Sequence, residues 1–323
     1  GGTCRVDNFT IVGTIAGPAQ IVKQPVSTTN YFGDNAFFTV VAGGDAPITY
    51  QWYYFTNGAA STNLLMDGSS GYGAGTITGS SELLLDLTFV NTNQAGNYFF
   101  VVSNYSGSVT SSVVQLTVNM RPLIPATISS LHLLHDANYA LTDTTNLYVV
   151  EGIVTTPANL VSPDPASSFF VQDGTGGMDV FFRGGFPFPA AGDHVRITAP
   201  LLQFNGLLEA APVNGNPAHN IEILDSGNPL PAPQLFDFTT LPTPATVEES
   251  LEGRYLYVTN VYIGVTNADP HLVGGETIFM TNLTGQVYRM TMANNPILGP
   301  VGYPLPGSFA TSVTGVLSQS QTS

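Results

Sequence analysis

The stretch Tyr50-Gln51-Trp52-Tyr53 carries the only tryptophan of the chain. Farther along stands Ala95-Gly96-Asn97-Tyr98-Phe99-Phe100-Val101-Val102-Ser103-Asn104. Aromatic and β-branched residues dominate both stretches, which reads as strands. A lone Trp on one strand and a Tyr at the corner leading into a later one is the pattern of two antiparallel sheets meeting on their apolar faces. Residues 17–119 are therefore expected to form such a sandwich, with Trp52 and Tyr98 in its core.

Working outward, short apolar runs recur along the whole chain, separated by Gly, Asn, Pro and Ser clusters. Helical periodicity is scarce, so the expected class is all-β. The 323 residues allow two or three domains, and 43% hydrophobic with 11% aromatic content lets each bury a core. Charged residues make up only 9% of the chain, against roughly 25% in a typical soluble protein. The polar surface must then be built from Thr, Ser, Asn, Gln and Gly, which suits a secreted or cell-surface protein. Seven Lys and Arg stand against 22 Asp and Glu, a net charge of −15. Without a positive field the chain cannot release phosphate counterions, so nucleic acid and anionic membranes are disfavoured as partners. No stretch reaches the ~18 apolar residues of a membrane-spanning helix. Nor does a charged-then-apolar leader open the chain, so any export signal is expected upstream or already removed. Cys4 is the single cysteine, which excludes an intrachain disulfide and leaves an intermolecular bond or a free thiol.

Proline-bearing stretches at Met120-Arg121-Pro122-Leu123-Ile124-Pro125 and at 228–233 read as semi-rigid linkers. They divide the chain into residues 1–16, 17–119, 124–233 and 234–323. Within 17–119, Pro18-Ala19-Gln20-Ile21-Val22-Lys23-Gln24-Pro25, Phe38-Thr39-Val40-Val41-Ala42-Gly43, Tyr50–Tyr53, Leu83-Leu84-Leu85 and the run from Ala95 to Asn104 fall in order. This segment resembles a bacterial immunoglobulin-like domain of the intermediate-set type. The resemblance implies that the inter-sheet cysteines of antibody domains would fall at Val40 and Phe100, where an apolar pair stands instead. It also implies a tyrosine-corner role for Tyr98, with Gln94 in place of the usual acidic residue.

Beyond 124 the chain echoes itself. Val149-Val150-Glu151-Gly152-Ile153-Val154 resembles Tyr257-Val258-Thr259-Asn260-Val261-Tyr262. Phe169-Phe170-Val171-Gln172-Asp173-Gly174-Thr175-Gly176 resembles Ile278-Phe279-Met280-Thr281-Asn282-Leu283-Thr284-Gly285, and Val195-Arg196-Ile197-Thr198-Ala199-Pro200-Leu201 resembles Thr311-Ser312-Val313-Thr314-Gly315-Val316-Leu317. Offsets of about 110 residues point to a duplicated module. Phrases such as Val150-Glu151-Gly152-Ile153-Val154, Val171-Gln172-Asp173-Gly174 and Glu249-Ser250-Leu251-Glu252-Gly253 resemble the OB-fold modules of large secreted bacterial multidomain proteins. That resemblance implies two five-stranded β-barrels. The last strand of the second copy falls at the very end of the sequence, so an incomplete second barrel, in a chain cut from something longer, is an open expectation.

Candidate sites are sparse. Phe181, Phe182 and Arg183 close the third strand of the first barrel, where an aromatic beside a guanidinium could stack on a sugar or a base. His132 and His135 lie three apart on a helix expected over residues 129–140 and capped by Ser129 or Ser130, without the intervening glutamate of a metalloprotease. The glycine-rich Asp173-Gly174-Thr175-Gly176-Gly177 lacks the lysine of a phosphate loop and reads as a hairpin turn. Asn267-Ala268-Asp269-Pro270-His271 and Asp164-Pro165 offer oxygens to Ca²⁺, the one cofactor considered, without the spacing of a known calcium loop. Glu248, Glu249 and Glu252 read as solvated charge. Asn8, Asn104 and Asn282 open glycosylation sequons. Residues 6–15 have strand character but precede the sandwich, and could pair with a neighbouring subunit's sheet edge.

No catalytic constellation emerges. The expected function is a non-enzymatic extracellular structural or adhesive protein, a candidate fibre subunit, whose partners are other protein subunits or surface glycans. The alternative is an accessory carbohydrate- or nucleic-acid-binding region of a larger secreted hydrolase.

Overall fold

A computed structural model describes residues 17–318, except 57, 59–60, 72, 138–139, 157–165, 238–250, 266–276 and 292–306. The expected strand within 1–16, Cys4, Asn8, Asp164-Pro165, Glu248-Glu249 and residues 267–271 lie outside the described residues. The chain divides into two compact units: Gly1–Met120 with Gly215–Pro217, and Arg121–Asn214 with Ala218–Ser323.

The first unit contains β1 (Gln20–Lys23), β2 (Thr28–Tyr31), β3 (Ala36–Thr39), β4 (Val41–Gly43), β5 (Thr49–Phe55), β6 (Asn63–Leu64), β7 (Gly68–Ser69), β8 (Thr76–Thr78), β9 (Leu84–Leu87), β10 (Gly96–Asn104), β11 (Gly107–Thr110) and β12 (Val114–Asn119). One sheet runs β2-β12-β10-β5-β6, with β11 also paired to β10; the other runs β3-β9-β8-β7; β1 pairs β4. Strand alternation does the sorting. Tyr98, Phe100 and Val102 of β10 point inward, as do Ala36 and Phe38 of β3. Trp52 is fully buried, 5.9 Å from the Phe38 ring and 5.1 Å from Phe100. Its indole N–H is not sacrificed: it donates to Glu82 O at 2.9 Å.

The corner before β10 is built from amides and a phenol. Tyr98 Oη donates to Gln94 O at 2.7 Å. Gln94 Oε1 accepts from Asn91 N and Asn91 Nδ2 at 3.0 and 3.1 Å, so hydrogen bonds pin the loop. Val40 and Phe100 are both buried in this core.

The second unit opens with β13 (Leu123–Pro125), α1 (Ile128–Leu131), β14 (Leu147–Thr156), β15 (Ala166–Gln172), β16 (Gly177–Arg183), β17 (His194–Ala199), β18 (Leu201–Phe204), β19 (Leu207–Ala210) and β20 (Asn220–Asp225). Then come β21 (Gln234–Leu235), β22 (Tyr255–Val265), β23 (Thr277–Asn282), β24 (Val287–Thr291) and β25 (Phe309–Val316). The first set forms a sheet ordered β18-β19-β16-β15-β14-β17-β20, the second a sheet ordered β21-β22-β23-β24 with β25 on β22.

The two sets share a plan. In each, a short strand runs parallel to the long first strand, β13 on β14 and β21 on β22. The next amide continues each ladder: Ala126 N donates to Val149 O at 3.0 Å, and Phe236 N to Tyr257 O at 2.8 Å. An antiparallel meander follows in both, β14-β15-β16 and β22-β23-β24. A fourth strand then returns to the first, β17 on β14 and β25 on β22.

Two expectations need correction. Among the described residues neither sheet closes on itself, so the closed barrels are not shown; the first ladder path ends at β18 and at β20. At Pro200, which offers no N–H to a ladder, the chain changes partner, from β14 to β19. The helix expected over 129–140 is a single turn, Ile128–Leu131, and its N-cap is Thr127, which makes no side-chain cap bond. Ser129 and Ser130 lie inside the turn, and Tyr139 is outside the described residues.

Two substitutions gauge the first core. Trp52→Ala removes the largest buried side chain and should cost about 3–5 kcal/mol. Tyr98→Phe loses only the bond to Gln94 O, about 1 kcal/mol. Urea denaturation followed by fluorescence or circular dichroism measures both.

Candidate functional site

Strand alternation separates the expected ligand residues. Phe182 faces the core, 1% exposed, with Phe169 and Phe186 rings at 6.1 and 5.9 Å. Phe181 points to the other face and Arg183 covers it, its guanidinium carbon 5.6 Å from the ring centroid. The trio therefore does not form one surface. The two histidines also part: His132 is buried, its Nε2 2.8 Å from Gly177 O, while His135 has its Nδ1 2.9 Å from Asp136 O. Among the described residues no three His, Cys, Asp or Glu side chains are placed to hold a metal ion. Asn104 uses its Nδ2 to reach Gly17 O at 3.0 Å, and Asn282 uses its own to reach Gln286 Oε1 at 2.9 Å.

The glycine-rich turn has a defined task. Asp173 Oδ1 accepts from Thr175 N and Gly176 N at 2.6 and 2.8 Å, and Asp173 Oδ2 accepts from Ile128 N at 2.9 Å. Thr175 Oγ1 accepts from Ser129 N at 3.1 Å. A hairpin turn thus caps the first amides of α1 from a distance, which is why the turn of helix needs no cap from its own sequence. Burial works to raise the Asp173 carboxyl, yet these bonds hold it below its ordinary value of 3.8.

A second cluster sits where the two halves of this unit meet. Asp179 of β16 and Glu209 of β19 are direct partners in a parallel ladder, and both are nearly inaccessible at 3% and 4% exposure. Their neighbours Met178, Val180, Leu208 and Ala210 fill the core, so the two carboxyls lie on the opposite face of the sheet. Glu252 arrives from the segment before β22; it is 1% exposed, and its Oε1 accepts from Leu208 N at 2.8 Å. His132 Nδ1 stands 3.9 Å from the same oxygen. Ser168 Oγ donates to Asp179 Oδ1. Desolvation raises Asp179 to about 7. Desolvation, then the charges of Asp179 and Glu252, raise Glu209 to about 8.

Glycines permit the approach. A methyl added at Gly177 would meet the Gly253 carbonyl carbon at 2.2 Å, and Gly253 itself needs a φ of +70°. Tyr255 N donates to Gln172 Oε1 at 2.8 Å, and Arg254 donates to Thr175 O. The neighbouring hollow, lined by Leu131, His132, Leu134, His135, Leu141, Gln203 and Leu208, measures ≈ 10 Å³, room for about one water. This arrangement can hold protons out of contact with bulk solvent.

No family model matches the chain, and no curated protein matches it. Solved structures do. Titin M4 is 24% identical over 33% of this chain and 100% of its own, with a TM-score of 0.24. The tandem Ig repeats of Dlar are 20% identical over 33% of this chain and 50% of theirs, with a TM-score of 0.27. Dpr1 IG1, solved bound to DIP-eta IG1, is 15% identical over 32% of this chain and 97% of its own, with a TM-score of 0.25. What decides the fold is the geometry above: two sheets, the buried Trp52 and the Tyr98 corner. The first unit has an immunoglobulin-like fold.

Beyond the immunoglobulin-like unit, sequence reading missed Asp179 and Glu209 altogether and took Glu252 for a solvated charge. One signal was available. Asp179 interrupts Met178-Asp179-Val180-Phe181-Phe182 and Glu209 interrupts Leu207-Leu208-Glu209-Ala210, and each run is too apolar to lie on the surface.

Asp173→Ala should cost about 1–2 kcal/mol by freeing the α1 amides. Because the Asp173 value is depressed, its contribution is present above 3.8 and is lost as pH falls through the native value. Acid titration of the two proteins by circular dichroism should therefore converge at low pH.

Proposed function

We propose that this chain is a non-enzymatic extracellular structural or adhesive protein. In this reading an immunoglobulin-like module, residues 17–119, is followed by two OB-type modules, 124–233 and 234–323. The carrying observation is where the distinctive side chains lie. Trp52, Phe38, Tyr98 and Phe100 are in the first core, Phe169 and Phe182 in the second, and the buried carboxyls sit in a joint. The chain as a whole is poor in charge, with 9% Asp, Glu, Lys and Arg.

The pairing order supports the OB-type assignment for 124–233. β14, β15 and β16 form a meander, β19 runs parallel to β16, and β18 pairs antiparallel with β19. β17, paired to β14, passes into β18 through Pro200 alone. Taken as one bent strand, β17 and β18 bridge β14 and β19, as the fourth strand of a five-stranded barrel would.

Assembly is read from the sheet edges. β17 carries β20 on its second edge, while β25, its counterpart, pairs only with β22 among the described residues. An open edge of that kind accepts a strand from another subunit, and residues 6–15 have the matching strand character. Analytical ultracentrifugation across a concentration series tests this. The intact chain should form oligomers that a chain lacking residues 1–16 does not. Monomers in both samples at high concentration reject assembly by strand addition.

A further inference from the structure

We propose that the joint between β16–β19 and the Glu252-Gly253 turn is a proton-dependent latch, closed at acidic pH and loosened at alkaline pH. It is an interface before it is a set of titrating groups. Gly177 and Gly253 meet backbone to backbone, Leu208 N is held by Glu252 Oε1 across the joint, and Tyr255 N is held by Gln172 Oε1. These bonds tie the last module to the sheet of the one before it. Asp179, Glu209 and Glu252 converge on that seam.

The charged and titratable groups facing the seam come from each element around it. α1 is followed by His132, whose Nδ1 lies 3.9 Å from Glu252 Oε1. β15 supplies the neutral Ser168 hydroxyl and the Gln172 amide. β16 and β19 supply Asp179 and Glu209. Ahead of β22, Arg254 donates to Thr175 O, a backbone carbonyl of the capping turn. Among the described residues negative groups outnumber positive ones, in a seam whose carboxyls are buried, and full ionisation sets like charges against one another.

Linkage gives the direction. The unfolded chain releases these protons near 3.8 and 4.5, whereas the native joint retains them to about 7 at Asp179 and about 8 at Glu209. Between those values the native state binds more protons than the unfolded one, so stability falls as pH rises. The contribution is complete below the unfolded values and has been lost above about 8. This trend is opposite to that of Asp173, so the two are separable on one pH axis. Because the carboxyls interact, the pair titrates as a unit.

Carboxyl-detected NMR titration of the intact, unsubstituted chain is the first test. Two buried carboxyl resonances should move well above the ordinary carboxylate range, and all carboxyls titrating near 4 would overturn the proposal. Hydrogen exchange locates the effect. From pH 5 to pH 9 the protection of the Leu208 and Tyr255 amides, corrected for intrinsic exchange, should fall about tenfold relative to amides inside β14. Equal loss in β14 would mean general destabilisation and not a latch. The double variant Asp179→Asn/Glu209→Gln should keep these two amides protected at pH 9. Should it fail to fold, the exchange profile of the unsubstituted chain still decides the matter.

Discussion

Apolar burial between β layers, without a covalent cross-link, is the constraint on which the first unit rests. Val40, Phe100, Trp52, Phe38 and Tyr98 are buried in one apolar cluster. A buried indole and phenol each carry a polar atom that costs free energy if left unmet. Their donors find Glu82 O and Gln94 O, backbone carbonyls fixed by the neighbouring turns. Position and polarity are therefore solved together. The ring that fills the core also orients the loop that precedes β10.

The second unit solves a related problem between repeats. Each sheet carries a long first strand flanked by a short parallel one, and each fills its own core. Among the described residues, they meet in a close backbone approach at two glycines with buried carboxyls beside it. Such a joint is specific, because no side chain can be accommodated at Gly177 without moving the Gly253 backbone. It is also conditional, because its polar content depends on protonation.

Much of the first unit was legible because its signals are local. Trp52 in an aromatic strand, the Tyr98 corner and inward alternation along β10 each follow from residues a few positions apart. Unit two was legible as strands, and the sequence echoes at 149 and 257 fall on β14 and β22, the long strands of the two sheets. Its helix was overread. Leu131 and Leu134 suggest helical spacing, but the capping groups for Ile128 and Ser129 come from Asp173 and Thr175 and support one turn only. The carboxyl seam was illegible for a topological reason. Asp179 and Glu209 become neighbours through a parallel ladder, and Glu252 joins them through Leu208, so no window of sequence contains the site.

One feature of the sandwich bears on mechanics. β2, near the start of the first unit, runs parallel to β12 at its end, in register from Leu116 with Thr28 to Asn119 with Tyr31. Tension applied through the two ends pulls these strands in opposite senses along their common axis. The hydrogen bonds between them are then strained side by side, instead of being unzipped one after another. A module wired in this way resists stretching until several bonds give way at once.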